Sequence, residues 1–251
     1  MSYDYLVFED VTATQYLDQL AGLGKGLAIS SPNGLHEFVQ SRHVADIALV
    51  DLQWRRQDGE PNYDFDGLDV IAALEQSGQC RRVVIHTEGG PSRRHWIEEA
   101  SRSPIVAGGI LKGDVDLAAV VDRILNGERY WDVVPQVRTG QVVVDLLEKN
   151  DRGSKRFTAK GRLVAAMLED PTYRKVKDLL MVKQQTIASL APQLVDDLRR
   201  IGEKNVNGEP QPALAGWIGE NRHYLVGWRR RVVAAIDDPF LKSRFGDEPL
   251  A

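Results

Sequence analysis

The chain has 251 residues, 43% hydrophobic and 27% charged, so it can form one large domain or two small ones, and its composition excludes wholesale disorder. Its single cysteine, Cys80, excludes an intrachain disulfide and a thiolate metal cage. The first residues lack a basic region followed by an apolar stretch, and no apolar run approaches the roughly 18 residues of a membrane span. We therefore expect a cytoplasmic protein that makes no use of a membrane.

Charge is divided unequally between the two halves of the chain. Residues 1–127 hold 11 Lys and Arg against 19 Asp and Glu, a net charge of −8, whereas residues 128–251 hold 21 against 17, a net charge of +4. The two halves are therefore expected to bind different partners.

Short apolar runs alternate with helix-like segments over the first half, a pattern typical of βα units that build a parallel sheet. The predicted strands are residues 5–8, 26–30, 47–50, 83–85 and 105–107. The predicted helices are residues 14–21, 34–40, 67–76, 93–100 and 115–126. Residues 1–127 are therefore predicted to form an α/β domain with a five-stranded, doubly wound parallel sheet.

The second half is predicted to be all-α after an irregular connector at residues 128–156, which contains Pro135, Gly140 and Gly153. Helices are predicted at residues 160–168, 172–180 and 184–201, followed by a loop at 203–212 and a helix at 217–236 that breaks near Gly227. The sequence thus predicts a compact helical domain at 157–204 and a C-terminal helical extension at 205–251.

Polar residues follow the ends of four predicted strands: Glu9 and Asp10 the first, Asp51 the third, Thr87 the fourth and Lys112 the fifth. In a parallel α/β sheet the carboxyl ends of the strands meet at one edge, where ligands bind. Three carboxylates brought together repel one another unless a cation joins them, and Mg²⁺ prefers such hard oxygen ligands. The pattern predicts a Mg²⁺ site, with a hydroxyl and an ammonium near the oxygens of a phosphorylated Asp51.

This order of residues resembles the receiver domain of two-component response regulators, and the resemblance spans residues 1–127. The segment 66–71 also resembles the one that opens the third helix of that family. The resemblance implies a flavodoxin-like sheet, a phosphoacceptor that takes its phosphoryl group from a sensor histidine kinase, Mg²⁺ as cofactor, and a switch between two surfaces on phosphorylation. The implied roles are phosphoacceptor for Asp51, metal ligand for Glu9, Asp10 and Asp51, and switch residue for Thr87 and Lys112.

Several positions differ from the receiver pattern and leave a second interpretation open. Gly109 stands where the family usually has an aromatic residue, Gly113 where it has a proline, and Glu88 where it has a small residue. The loop at 52–65 is longer than usual and carries Trp54, Arg55 and Arg56, which we expect to cover the site or to reach the phosphate. The alternative hypothesis is a degenerate receiver, a signalling adaptor that acts by protein contacts without phosphorylation or DNA binding.

An enzyme is a further interpretation, because haloacid-dehalogenase-like phosphatases also place a nucleophilic Asp at a strand end beside Mg²⁺. Those enzymes need a second acid two residues later as proton donor, and Gln53 occupies that position here. We therefore predict that the protein is not an enzyme.

Residues 157–204 resemble the LuxR/FixJ-type helix-turn-helix domain, which often follows a receiver in transcription regulators. The resemblance rests on Phe157 and Thr158 before the first helix, Val176 and Leu180 in the second, and Ile187, Leu194 and Leu198 in the third. It implies DNA contacts by Lys183, Gln184, Gln185, Thr186 and Ser189 from the major groove. The surplus of 11 Lys and Arg over 6 Asp and Glu in residues 155–204 supports contact with nucleic acid.

Pro192 lies within the predicted recognition helix, where a proline costs about 3 kcal/mol, so we expect a kink or a split at Ala191. Taken together, the sequence predicts a response regulator that acts as a homodimer on promoter DNA.

Overall fold

The computed structural model of the chain describes residues 2–10, 12–56, 58–90, 93–113, 115–132, 142–151, 154–171, 176, 180 and 184–235, with only the backbone at 150, 151, 154 and 184. These residues fall into two compact units, Met1–Gln136 and Val137–Ala251.

The first unit alternates strands and helices as the sequence predicts. Its strands are β1 Ser2–Phe8, β2 Gly26–Ile29, β3 Val44–Asp51, β4 Cys80–Thr87, β5 Val106–Leu111 and β6 Tyr130–Trp131. Its helices are α1 Ala13–Leu20, α2 Pro32–Ser41, α3 Gly67–Ser77, α4 Arg94–Ala100 and α5 Leu117–Leu125, with a 3-10 turn at Ala21–Leu23. All the pairings between these strands are parallel, and their order is β2-β1-β3-β4-β5-β6.

The core of this unit lies on both faces of the central strands. β1, β3 and β4 each end in four or five consecutive buried residues, as expected for strands covered by helices on both sides. One large cluster joins Val7, Leu49, Val84 and Ile110 of the sheet to Val121 and other residues of α5. Burial of these runs fixes the strand register and therefore the positions of the residues that follow them.

A sixth strand extends the five that were predicted. The prediction also ended β5 too early, at residue 107, because Gly108 and Gly109 interrupt its apolar run. A Cβ at Gly108 would lie 2.3 Å from the main-chain oxygen of Tyr130, and one at Gly109 would lie 2.9 Å from the ring of Trp131. The glycines thus weaken the strand pattern and at the same time allow β6 to pair closely with β5.

The described residues of the second unit are helical apart from one antiparallel strand pair and the connecting segments. It contains α6 Val143–Leu147, the antiparallel pair β7 Glu148–Asp151 and β8 Ser154–Phe157, α7 Ala159–Glu169, α8 Gln184–Arg200, α9 Pro210–Glu220 and α10 Arg222–Ala235. The stretch 128–156, predicted as an irregular connector, therefore contains β6, α6 and the hairpin. Val176 and Leu180 are helical, but the rest of the predicted helix at 172–180 and the turn at 181–183 lie outside the described residues.

α7 lies at the centre of the second unit, since it packs against α6, α8, α9, α10 and β8. A Cβ at Gly161 would lie 1.8 Å from the main-chain oxygen of Leu147, so only glycine allows α7 to cross the end of α6 this closely. Trp217 and Trp228 are buried, and Trp228 donates a hydrogen bond to Glu148 Oε2 at 3.1 Å. These two tryptophans therefore pack in the core of the second unit.

The C-terminal part differs from its prediction in where the helices break. The predicted single helix at 217–236 is two helices, and the break is at Asn221 rather than near Gly227, which is buried within α10. α9 begins at Pro210, inside the predicted loop, because proline is well suited to the first turn of a helix. α8 continues through Pro192, so the expected split at Ala191 is wrong. Burial of Ile187, Leu194 and Leu198 on the neighbouring helices offsets the cost of the proline.

Candidate functional site

The strand register brings the predicted acidic residues to one edge of the sheet. Phe8 of β1 lies opposite Val50 of β3, so Glu9 is level with Asp51. Asp51 lies opposite His86 of β4, and the main-chain N–H of Lys112 donates to the carbonyl of Thr87 at 2.8 Å. The carboxyl ends of β1, β3, β4 and β5 thus converge on one site.

Lys112 joins the carboxylates of two strands. Its Nζ lies 3.2 Å from Asp51 Oδ2 and 3.0 Å from Glu9 Oε2, and it donates a hydrogen bond to Glu9 Oε1 at 3.1 Å. Glu9 Oε2 is therefore in ion-pair range of Lys112, although it accepts no hydrogen bond from the described residues. Glu9 and Asp51 are buried, which strengthens their interaction with the single ammonium.

Burial and mutual charge interactions shift the pKa values of Glu9, Asp51 and Lys112. It raises the pKa of Glu9 to about 7, helped by the charge of Asp51 and opposed by Lys112. It likewise raises the pKa of Asp51 to about 6, against the charge and hydrogen bond of Lys112. Burial alone would lower the pKa of Lys112, but the two carboxylates raise it above its usual value. One ammonium thus compensates two buried carboxylates only in part.

The remaining switch candidate, Thr87, is fully buried at the end of β4. Its Oγ1 accepts a hydrogen bond from the main-chain N–H of Gly89 at 3.4 Å. The next residue, Glu88, points its carboxylate towards Arg93, with 3.3 Å between the charged groups, and its side chain is 61% exposed. The negative charge of Glu88 is therefore neutralised in part and screened by solvent, which weakens its repulsion of an incoming anion.

The donor set suits a hard cation. One oxygen from each of Glu9, Asp10 and Asp51 lies within 4.8 Å of the others. Asp10 is partly exposed, while Glu9 retains an oxygen without a hydrogen-bond donor among the described residues. Three carboxylates, partly compensated and open to solvent at Asp10, match the oxygen coordination that Mg²⁺ prefers. These residues therefore fit the metal that the resemblance implies.

One hydrogen bond at this site is made by a main-chain donor, so the type of the donating residue does not reveal it. The main-chain N–H of Arg55 donates a hydrogen bond to Asp10 Oδ2. The sequence predicted side-chain roles for the loop at 52–65, whereas every residue except proline carries a main-chain donor. Only the path of the backbone shows this contact.

The candidate DNA-contacting residues lie at the start of α8. Lys183 lies outside the described residues, and the side chain of Gln184 is not described. Gln185, Thr186 and Ser189 are exposed, and Ser189 Oγ donates to the carbonyl of Thr186 at 2.9 Å. The opposite side of the helix is buried against its neighbours, so the start of α8 presents an uncharged polar surface to solvent.

Several basic side chains of the second unit form ion pairs. Arg229 is buried and pairs with Glu169, so it is not exposed for contact with phosphate. Lys160 and Arg200 both pair with Asp197, which ties α7 to α8. Within the described part of the chain, no helix is long and apolar enough to cross a membrane.

Comparison with known proteins shows similarity in fold but not in sequence, since no protein-family model and no curated protein matches the chain. A two-component response regulator RcsB–DNA complex aligns with a TM-score of 0.53 and 11% identity, over 88% of this chain and 99% of that one. RcsB from Salmonella enterica serovar Typhimurium, bound to promoter rprA with the phosphomimetic BeF3−, gives 0.51 and 14%, over 88% and 98%. A structure of two RcsB dimers bound to two parallel DNAs gives 0.51 and 12%, over 88% and 99%. The chain therefore has the fold of these RcsB structures, a parallel α/β unit followed by a mainly helical unit.

Proposed function

We propose that this protein is a response regulator in which phosphorylation of Asp51 controls the binding of promoter DNA by the second unit. The observation that carries the proposal is the convergence of Glu9, Asp10 and Asp51 with Lys112 at the carboxyl edge of the sheet. A buried carboxylate beside an ammonium, with two further carboxylates able to help hold Mg²⁺, supports phosphoryl transfer to Asp51.

The proposed chemistry begins at a carboxylate oxygen of Asp51. This oxygen attacks the phosphorus of a phosphohistidine on a sensor kinase, the P–N bond breaks, and the imidazole leaves with the electron pair. Mg²⁺, when bound by Glu9, Asp10 and Asp51, would neutralise charge on the carboxylates and phosphoryl oxygens. Lys112, 3.2 Å from Asp51, is near enough to exchange its ion pair with the carboxylate for one with the phosphoryl group.

Thr87 provides the proposed coupling of this chemistry to the fold. Its hydroxyl is buried at the end of β4, and its main-chain oxygen accepts from the N–H of Lys112. A new set of phosphoryl oxygens would attract the hydroxyl and the ammonium together, which favours one arrangement of the ends of β4 and β5 over another.

The proposal that the second unit binds DNA is supported by the exposed side chains at the start of α8. In a helix-turn-helix domain the first residues of the recognition helix contact base edges. Gln185 is exposed near the start of α8, and a glutamine side chain can form two hydrogen bonds with adenine. As in the RcsB–DNA complexes, we propose promoter DNA as the ligand and a homodimer as the binding form.

Phosphorylation is tested by incubating the protein with Mg²⁺ and acetyl phosphate and measuring its intact mass. We expect one added phosphate, absent in Asp51→Asn and after chelation of the metal. Asp46→Asn is the matched control, because Asp46 is on the same strand but pairs with Arg81 at the surface. Uptake that persists in Asp51→Asn would contradict the assignment of the phosphoacceptor.

DNA binding is tested by gel shift with promoter fragments, with and without the phosphodonor. Gln185→Ala is expected to weaken specific binding by about 1–3 kcal/mol, as for loss of a base contact. Gln211→Ala, on α9, should leave it unchanged. If the protein does not bind DNA, or if binding does not weaken with added salt, the proposal that the second unit binds promoter DNA is refuted.

A degenerate receiver is the second candidate, and Lys112 is the observation that favours it. This residue already bridges Glu9 and Asp51, so the site is partly compensated without a cation. A protein that neither takes up phosphate nor binds Mg²⁺, yet still captures protein partners, would support this alternative.

A further inference from the structure

The loop between β3 and α3, here called the tongue, spans residues 52–65, and its described residues on either side of position 57 pair like the two arms of a hairpin. Arg55 and Pro61 form an antiparallel bridge, and the main-chain N–H of Asn62 donates to the carbonyl of Trp54 at 3.0 Å. Closer to the tip, the N–H of Arg56 donates to the carbonyl of Glu60 at 2.7 Å. Main-chain hydrogen bonds therefore tie the described residues of one arm of the tongue to those of the other.

Trp54 fixes the base of the tongue to the phosphoacceptor strand. Its side chain is 1% exposed, and its Nε1 donates to the main-chain oxygen of Asp51 at 3.1 Å. Its ring packs edge-on against Phe65, at the other end of the tongue, with 4.8 Å between centroids. Gly67 N–H donates to the carbonyl of Leu52 at 3.1 Å and closes the base. Both ends of the tongue are thus held beside Asp51.

This anchoring places one main-chain donor on the acidic site. The N–H of Arg55, the residue after Trp54, donates to Asp10 Oδ2. Asp10 is the most exposed of the three carboxylates and, unlike Glu9 and Asp51, has no ion pair with Lys112. A donor on one oxygen restricts rotation of the carboxylate and leaves its other oxygen for a cation.

We propose that the tongue is a positioning element for Asp10 and sets the affinity of the site for Mg²⁺ through the main-chain N–H of Arg55. Hydrogen bonds to metal-ligating carboxylates orient them, and their loss typically weakens metal binding by roughly 10- to 100-fold. This inference rests on the proposed function, because it requires that Glu9, Asp10 and Asp51 bind the metal.

Proline at position 55 removes the donor, since proline lacks an N–H. Isothermal titration of the full chain with MgCl2 is expected to show roughly 10- to 100-fold weaker binding in Arg55→Pro. Arg55→Ala keeps the N–H and should bind within about twofold of the unaltered chain. Equal affinities in the two variants would overturn the inference, whereas no binding by the unaltered chain would refute the proposed metal site and with it the inference.

A double-mutant comparison separates positioning of Asp10 from general damage to the tongue. If the N–H acts through Asp10, Arg55→Pro should weaken Mg²⁺ binding far less in an Asp10→Asn background than alone. An equal loss in both backgrounds would contradict the inference.

A second measurement does not depend on the folding of Arg55→Pro. In NMR spectra of the metal-free chain, Asp10→Asn should move the amide resonance of Arg55 upfield and increase its exchange with solvent, because a hydrogen bond to a charged carboxylate is lost. The amide of Arg56, which donates to Glu60, serves as control. An Arg55 amide that does not respond to Asp10→Asn would refute the contact.

Discussion

Gly109 on β5 is packed so closely that a single added methyl group should destabilise the first unit. A Cβ there would lie 2.9 Å from Ile85 Cγ1 and 2.9 Å from Cε3 and Cζ3 of Trp131. Overpacking of this kind costs about 1–3 kcal/mol, while replacing a strand glycine by alanine regains roughly 0.5–1 kcal/mol of backbone entropy. We therefore expect Gly109→Ala to lower the free energy of unfolding by about 1–2 kcal/mol.

Native-state hydrogen exchange of the Val84 and Ile85 amides in the full chain measures the decrease in the free energy of unfolding, because both residues are fully buried in the first unit. Gly22→Ala is the control, since a Cβ there meets nothing within 4 Å, and its effect should stay within about 0.5 kcal/mol. In a Trp131→Ala background, Gly109→Ala should cost less by at least about 0.5 kcal/mol. Equal costs in both backgrounds would show that Trp131 does not fill the space beside Gly109.

Two further predictions concern charged groups. Because the pKa values of Glu9 and Asp51 are raised to about 7 and about 6, their contribution to the metal-free stability is present at low pH and lost as pH rises through these values. Mg²⁺ needs the ionised forms, so its affinity and its effect on the melting temperature should increase between about pH 5.5 and 8, and an affinity independent of pH would contradict this. Glu169→Gln leaves Arg229 buried without its counter-charge and should cost about 1–3 kcal/mol in urea unfolding, since Glu169 is partly exposed. Asp196→Asn removes an exposed pair with Arg199 and should cost at most about 1 kcal/mol; equal losses would refute the distinction.

Two tryptophans pack beside the strands that lead into the acidic site. Trp54 follows β3 and donates to the main-chain oxygen of Asp51, and Trp131 of β6 lies beside Gly109 of β5. Substitution of either tryptophan should therefore affect the acidic site or the sheet edge while Asp51 itself is unchanged.

Local patterns in the sequence were sufficient to predict the order of β1 to β5 and of α1 to α5 in the first unit. Apolar runs end just before Glu9, at Asp51 and just before Lys112, and parallel strands bring such ends together. The positions of the acidic site were therefore predictable, because they depend on chain order and on burial of strands that are apolar throughout.

The elements that the sequence did not predict depend on contacts between distant residues. β6 has two residues and forms only because Gly108 and Gly109 let it approach β5. The helix through Pro192 is held by burial of its other face, which outweighs a local preference for a break.

The sequence by itself determined the α/β class of the first unit and the identity of the residues at its carboxyl edge, because both follow from local periodicity and residue type. Only the tertiary structure decided that Lys112 bridges Glu9 and Asp51, that Trp131 lies over Gly109, and that a main-chain N–H of the tongue donates to Asp10. These contacts join segments far apart in the chain, and main-chain donors are the same for every residue but proline, so no local pattern encodes them.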